Sequence, residues 1–338
     1  MSVPVLTFFN NKGGVGKTAL VYHLSAMFAN LGVRVMAVDL DPQANLTAAF
    51  LDEDRLADLW SDNAGVSTIY RSVKPLTDVG DYAPVEYQQI GERLALIPGD
   101  LGLSSFEDEL SGTWTQALGD QNKARPFRIL TAFWRTAQES AARFQADLIV
   151  FDVGPNLGAI NRAALLASNH VIVPLGADLF SLQGLRNLGP TLRGWRAGWE
   201  KRRGDWAVPE FMLPPGDMRP TGYVAMRHGV RLTRPVKAYT RWLDQIPGEF
   251  RRSVLDQPVG FMPVPPIESD PYCLAMLKNY NSLMPLGQEA RKPIFALRSA
   301  DGAIGAHANA VADAYGDFKT LATEIAARIG LHLPGSNG

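Results

Sequence analysis

Eight consecutive residues hold two ammonium groups, three glycines and a hydroxyl: Asn11-Lys12-Gly13-Gly14-Val15-Gly16-Lys17-Thr18. Glycines let a backbone turn sharply and approach an anion closely, and the N–H groups of such a turn converge on that anion. Gly16-Lys17-Thr18 fits the end of a pattern in which lysine meets the outer phosphates of a nucleotide and the hydroxyl ligates magnesium. The first glycine of that pattern is replaced by Asn11, and an additional lysine, Lys12, precedes the glycine pair. Three carboxylates complete the set. Asp39 and Asp41 stand two residues apart, so on an extended strand end they share one side. Asp152 closes a separate apolar run. Holding magnesium and orienting an attacking water beside a triphosphate needs such groups. Residues Asn11 through Ala19 are therefore the expected nucleotide-binding stretch, with the Thr18 hydroxyl as an expected magnesium ligand.

The elements that must position these groups are legible in the flanking pattern. Val3-Pro4-Val5-Leu6-Thr7-Phe8-Phe9 reads as a strand feeding the loop. Leu20, Leu24, Met27, Phe28 and Leu31 then recur at helical spacing, with Gly32 as a stop. Val33 to Val38 reads as a buried strand ending at Asp39, Asp147 to Asp152 as another, and Val171 to Leu175 as a third. Shorter strands are expected at Leu94–Pro98, Tyr223–Met226 and Val259–Phe261. Pro126 opens a helical pattern carrying Phe127, Leu130, Phe133, Trp134 and Ala137, and Val311, Tyr315, Phe318, Leu321 and Ile325 mark a closing amphipathic helix. Strands separated by helices predict an α/β fold: a mostly parallel twisted sheet covered by helices on both faces. Ligands of such sheets sit beyond the carboxyl ends of the strands, and Asn11, Asp39 and Asp152 all fall at such ends. The chain reads as one domain, residues 1–338, with insertions at about 52–90, which is polar and irregular, and 193–220, which is rich in Trp, Arg and Pro.

With 338 residues, 46% of them apolar, the chain can bury a large core. Its one cysteine, Cys273, excludes a disulfide framework or a multi-cysteine metal site within the chain, and reads as a small apolar filler. There is no basic-then-apolar leader, and no apolar run approaches the ~20 residues that span a bilayer. A cytoplasmic protein is expected, without membrane contact. The net charge of −1 is unevenly spread. Between Arg186 and Arg252 there are 14 Lys/Arg against 6 Asp/Glu, while the rest of the chain holds 19 against 28. Arg193, Arg196, Lys201, Arg202 and Arg203 cluster with Trp195, Trp199 and Trp206, and Arg227, Arg231, Arg234, Lys237 and Arg241 form a second group. Such a region could grip a polyanion through its phosphates, without sequence preference and in a salt-sensitive way.

The loop K-G-G-x-G-K-[ST] resembles the deviant Walker A loop of the ParA/MinD ATPase family. Asp39-Leu40-Asp41-Pro42-Gln43-Ala44-Asn45 is similar to that family's D-x-D-P-Q-x-N switch, and Asp152-Val153-Gly154-Pro155-Asn156-Leu157-Gly158 to its D-x-P-P-x-L-G switch, with Gly154 where proline is commoner. Phe180-Ser181-Leu182-Gln183-Gly184-Leu185 and Gln288-Glu289-Ala290-Arg291-Lys292-Pro293-Ile294 resemble later family segments less specifically. The resemblance implies a ParA-like, dimerising ATPase switch using ATP and Mg2+. It assigns catalytic roles to Lys12, Lys17 and Asp41. Lys12 would reach across an ATP-bound homodimer, Asp41 would position the attacking water, and Asp39 and Asp152 would hold magnesium, Asp39 through water. It also implies non-specific DNA and a ParB-like activator as partners, with DNA or another cargo positioned or segregated. A MinD-like membrane role or a small-molecule ligase on the same scaffold are the alternatives. Asn122-Lys123-Ala124-Arg125 lacks the acid of a guanine-reading element, which favours ATP. No helix-turn-helix precedes the loop, so sequence-specific repression is not expected.

Overall fold

The computed structural model describes residues 2–78, 80–119, 123–206, 208–226, 241–257, 263–280 and 282–334. Eight strands form one sheet: β1 (Val5–Phe8), β2 (Val35–Asp39), β3 (Gln88–Gly91), β4 (Leu94–Ile97), β5 (Leu148–Asp152), β6 (His170–Gly176), β7 (Arg219–Met226) and β8 (Cys273–Leu277). Their spatial order is β3-β4-β2-β5-β1-β6-β7-β8, parallel except that β3 runs antiparallel to β4. β1, β2, β5 and the last six residues of β6 are buried, and side chains of β1, β2 and β5 alternate between two cores. Val5, Met36, Val38, Ile149 and Phe151 face one side, whereas Leu6, Phe8, Val35, Ala37 and Val150 face the other. Burial on both faces is why these strands are nearly continuous apolar runs rather than alternating ones.

The helices are α1 (Lys17–Asn30), α2 (Asn45–Phe50), α3 (Glu53–Trp60), α4 (Ile69–Val73), α5 (Phe106–Gln116), α6 (Ala124–Leu130), α7 (Ala132–Phe144), α8 (Ala159–Leu166), α9 (Leu179–Gly204), α10 (Ile246–Glu249), α11 (Met284–Ala290) and α12 (Ala306–Ile329). α1, α2 and α12 cover one face, and α4 to α9 the other. The pattern opened at Pro126 is two helices, α6 and α7, divided at Thr131, which bonds back to Phe127. In the closing helix α12, Phe318, Leu321 and Ile325 are buried as expected, whereas Tyr315 is 37% exposed.

Several segments differ from the sequence expectation. Residues 52–90 hold two short helices, α3 and α4, and the edge strand β3. Of the stretch 193–220, residues up to Gly204 are the second half of the 26-residue α9, and Arg219 and Pro220 already belong to β7. Six Gly and Pro residues disguise that helix, yet Leu182, Leu185, Leu188, Leu192 and Trp199 bury one of its sides. Tertiary packing overrides weak propensity there. The strand expected at Val259–Phe261 lies outside the described residues. β8, carrying the half-buried Cys273, was not legible from its short run Cys273-Leu274-Ala275-Met276-Leu277.

Candidate nucleotide-binding site

Strand order brings the chemistry together. β2, β5 and β1 are neighbours, so the ends that carry Asp39, Asp152 and the glycine-rich loop stand side by side. Asp39 and Asp152 are direct register partners. The loop leaves β1 through Asn10, whose Nδ2 donates to the Pro174 carbonyl at 2.7 Å and whose Oδ1 accepts from the Lys12 N–H at 3.0 Å. Asn11 packs on α9 at Gly184, where a Cβ would stand 3.0 Å from Asn11 Oδ1. Gly14 and Gly16 adopt φ of 71° and 79°, a left-handed conformation that costs other residues roughly 1–2 kcal/mol. Gly16 immediately precedes α1, whose first turn contains no acidic side chain. The free N–H groups and positive dipole end of α1 therefore face the loop without an internal anion. Gly13 and Gly14 are exposed, whereas Val15 is buried beneath them and Ala19 lies half-buried in the first turn of α1.

Lys17 and Asp152 form the buried heart of the site. The Lys17 ammonium curls back to the Lys12 carbonyl at 3.3 Å. Burial holds its pKa below the usual lysine value, a shift opposed by the charges of Asp152 and Asp41. Asp152 is fully buried, and neither carboxylate oxygen has a hydrogen-bond partner. Burial, with Asp39 and Asp41 nearby, pushes its pKa well above the usual carboxylate range, and the neighbouring Thr18 hydroxyl moderates that rise. A buried carboxylate without donors is costly unless a cation completes it.

Asp39 differs. It too is fully buried, and burial raises its pKa to about 7. Its Oδ2, however, accepts from the Thr47 N–H at 2.8 Å and the Thr47 hydroxyl at 2.7 Å, and its Oδ1 from the Asp41 N–H at 3.2 Å. Asp39 thus ties the start of α2 to the sheet. Asp41 is buried, accepts from the Gln43 N–H at 3.0 Å, and faces Gly154, where a Cβ would lie 3.4 Å from its Oδ1. Among the described residues no three His, Cys, Asp or Glu side chains form a metal cage. The orphaned oxygens of Asp152 and the Thr18 hydroxyl nevertheless fit a magnesium ion whose remaining ligands are water and phosphate.

Lys12 is part of the loop, but its ammonium is ion-paired within the same chain to Asp178, the N-cap of α9, and lies 5.9 Å from the Phe180 ring. Phe180 is 71% exposed. The arginine cluster diverges further from expectation. Arg193 donates to the Ser253 carbonyl, Arg196 to those of Asp217 and Met218, Arg202 to those of Trp114 and Gly198, and Arg203 to that of Pro215. Trp199 is fully buried and donates to the Pro214 carbonyl at 3.0 Å. These guanidinium groups brace the fold, while Lys201 and Arg241 are exposed. Arg227, Arg231, Arg234 and Lys237 lie outside the described residues.

Some partners had no signal in the sequence. His23 on α1 donates from Nδ1 to the Ala19 carbonyl at 2.6 Å and accepts at Nε2 from the Ile294 N–H at 3.2 Å. Burial lowers its pKa to about 4, fixing the neutral ring. The Pro293-Ile294 end of the last motif is thereby pinned to the helix that follows the loop. Cavities of about 460 Å³ and about 180 Å³ flank this junction, the larger beside Thr18, Ala19 and Gln288, the smaller beside Gly14, Met226 and Tyr280. Both lie beside the start of α1, next to the phosphate loop. Asp178 likewise meets Lys12 from 166 residues away in the chain, and Glu107 meets the first N–H groups of α8 from 52 residues away.

Comparison with known proteins matches this architecture. The family described as AAA domain (AAA_31) covers residues 3–197. The sporulation initiation inhibitor protein Soj of Bacillus subtilis (strain 168) is 31% identical over 189 residues, 56% of this chain and 64% of that protein. The chromosome partitioning protein ParA of Myxococcus xanthus is 28% identical over 192 residues, 56% of this chain and 57% of that one. The matched part thus spans less than two thirds of these relatives. Among solved structures, a protein of Corynebacterium diphtheriae superposes with a TM-score of 0.68 at 23% identity, covering 97% of this chain and 99% of that one. A plasmid partition protein of Borrelia burgdorferi bound to AMPPNP superposes with a TM-score of 0.58 at 17% identity, covering 97% and 100%. Both support the fold. With more than half of its length matched and a deviant Walker A loop at the end of β1, the chain belongs to the AAA-domain family AAA_31 and to the ParA/MinD ATPase family.

Proposed function

We propose that this protein is a ParA-type ATPase switch that binds ATP with Mg2+ and hydrolyses it to ADP and phosphate. The observation that carries the reading is the juxtaposition of the buried, unpartnered Asp152 with Lys17, Thr18 and an acid-free helix N-terminus. Such an arrangement is completed electrostatically when a polyanion and a cation fill it together. Loop N–H groups from Gly13 to Ala19 cradle the phosphates, and Lys17 neutralises the outer ones. Thr18 and Asp152 hold magnesium, with Asp39 behind a water. The ion, when bound, offsets charge on the outer phosphates. Asp41, already aimed across Gly154, orients the water for in-line attack.

The wider role follows from the same site. Lys12 leaves Asp178 and reaches the nucleotide of a second copy, so the ATP-bound protein is a homodimer and hydrolysis returns it to monomers. The dimer binds non-specific DNA through Lys201, Arg241 and the basic residues 227–237, and a ParB-like activator accelerates hydrolysis. DNA or another cargo is positioned in consequence. The relatives named for chromosome partitioning support this role. Among the described residues no helix is long and apolar enough to cross a membrane.

Calorimetric titration of MgATP tests the first part. Micromolar binding by the natural protein and its loss in Lys17→Ala are expected, and absence of heat with the natural protein refutes it. Asp41→Ala tests the second, as a dimer in size-exclusion chromatography with ATP that retains DNA at low salt. A monomer under those conditions removes the dimer.

A further inference from the structure

The turn between β5 and α8 lies against two parts of the site, the phosphate loop and Asp41. Pro155 sits against Gly13 of the phosphate loop, where a Cβ would be 4.0 Å from its ring, and Gly154 sits against Asp41. A glycine at 154 gives this turn no stiffness of its own. Its stiffness comes from two side chains. Asn161, fully buried on α8, donates from Nδ2 to the Gly154 carbonyl at 2.9 Å and to the Asn156 carbonyl at 2.7 Å. Glu107, from the first turn of α5, accepts the Ala159 N–H at Oε1 (2.5 Å) and the Ile160 N–H at Oε2 (2.9 Å).

Those are the first two N–H groups of α8, whose own N-cap residue, Gly158, supplies no side-chain acceptor. A carboxylate from another helix therefore caps α8 with both oxygens, meeting its orphan donors and its dipole. The fit is close. A Cβ on Gly158 would stand 2.5 Å from Glu107 Oε1 and 2.9 Å from Asn156 Oδ1. α5 is itself anchored at its far end, where Trp114 takes the Arg202 guanidinium on its ring at 3.6 Å and on its carbonyl at 2.8 Å. Glu107 is thus a fixed post rather than a swinging side chain.

We propose that Glu107 is a positioning residue for the hydrolytic step, holding the 153–158 turn against Asp41 and Gly13 from a helix that touches no nucleotide. The proposal rests on the ATPase reading above. Glu107 sets the register of the turn, and the turn sets where Asp41 and the attacking water stand relative to the outermost phosphate. Displacement of reacting groups by about an ångström costs as much as ~100-fold in rate, whereas phosphate binding by the loop and Lys17 is untouched.

The test is steady-state phosphate release and MgATP calorimetry on the natural protein, Glu107→Gln and Glu107→Ala. Expected is a fall in kcat of about tenfold or more in Glu107→Ala, a smaller fall in Glu107→Gln, which keeps the shape but loses the charge, and a Kd for MgATP within about twofold of the natural protein. Thermal melting identifies any variant that fails to fold, and Glu107→Gln then decides alone. An unchanged kcat in a folded variant overturns the proposal, as does a weakened Kd with kcat intact. A natural protein that neither binds nor hydrolyses ATP refutes the ATPase reading instead, a result separable from either.

Discussion

Two regions of this molecule are dense in charge, and they handle it in opposite ways. At the carboxyl ends of β1, β2 and β5, Asp152 is buried with no hydrogen-bond donor while Lys17 is desolvated beside it. Along the second half of α9, four arginines are satisfied by backbone carbonyls, and Arg202, almost fully buried, also lies over the Trp114 ring. The first region is electrostatically incomplete and the second complete. Satisfaction, rather than charge density, separates a binding site from a brace.

The largest effect that could break this contrast is at Lys17. Lys17→Ala should lower ATP hydrolysis by about 100-fold or more while leaving the melting temperature unchanged or higher, measured by phosphate release and calorimetry. A drop in stability instead would make Lys17 a brace. Arg202→Ala should do the reverse. It should destabilise the fold by about 3 kcal/mol in urea and leave MgATP affinity unaltered.

The next effect is one of pH. The pKa of Asp39 rises from 3.8 unfolded to about 7 folded, and that of Asp152 rises as well. Between those values the native state binds more protons than the unfolded state, so these groups make nucleotide-free protein less stable as pH rises from about 4 to 7. Differential scanning calorimetry without nucleotide should show that slope flatten in Asp152→Asn, by a few degrees in Tm. MgATP should stabilise the natural protein more at pH 7.5 than at pH 5. A slope unchanged in Asp152→Asn would mean the acid is not desolvated as described. Smallest of all, Arg203→Gln should change the salt dependence of DNA binding by less than one unit of log–log slope, because its guanidinium serves the Pro215 carbonyl. A full-unit loss would add Arg203 to the binding face beside Lys201.

How much of this was legible beforehand follows the same division. β2 and β5 are apolar runs ending in Asp, and β1 is a nearly apolar run followed by Phe9 and Asn10, so strand, end and chemistry could be read together. β3 could not. It is a four-residue edge strand, Gln88-Gln89-Ile90-Gly91, whose alternation is half-exposed and polar. α9 was obscured by Gly189, Pro190, Gly194 and Gly198, and its continuity rests on apolar residues that bury one side. At the site, the loop and the three aspartates lie in local motifs. Glu107 is 52 residues from the N–H it caps, and Asp178 is 166 from Lys12. Contacts of that separation leave no periodicity or spacing to read.

α9 has a mechanical consequence. At 1.5 Å per residue its 26 residues extend about 39 Å, from the aspartate that restrains Lys12 to the arginine seated on Trp114. Pro190 removes one rung of the helical ladder near the midpoint. The missing rung thus falls between the half that restrains Lys12 and the half bolted to α5.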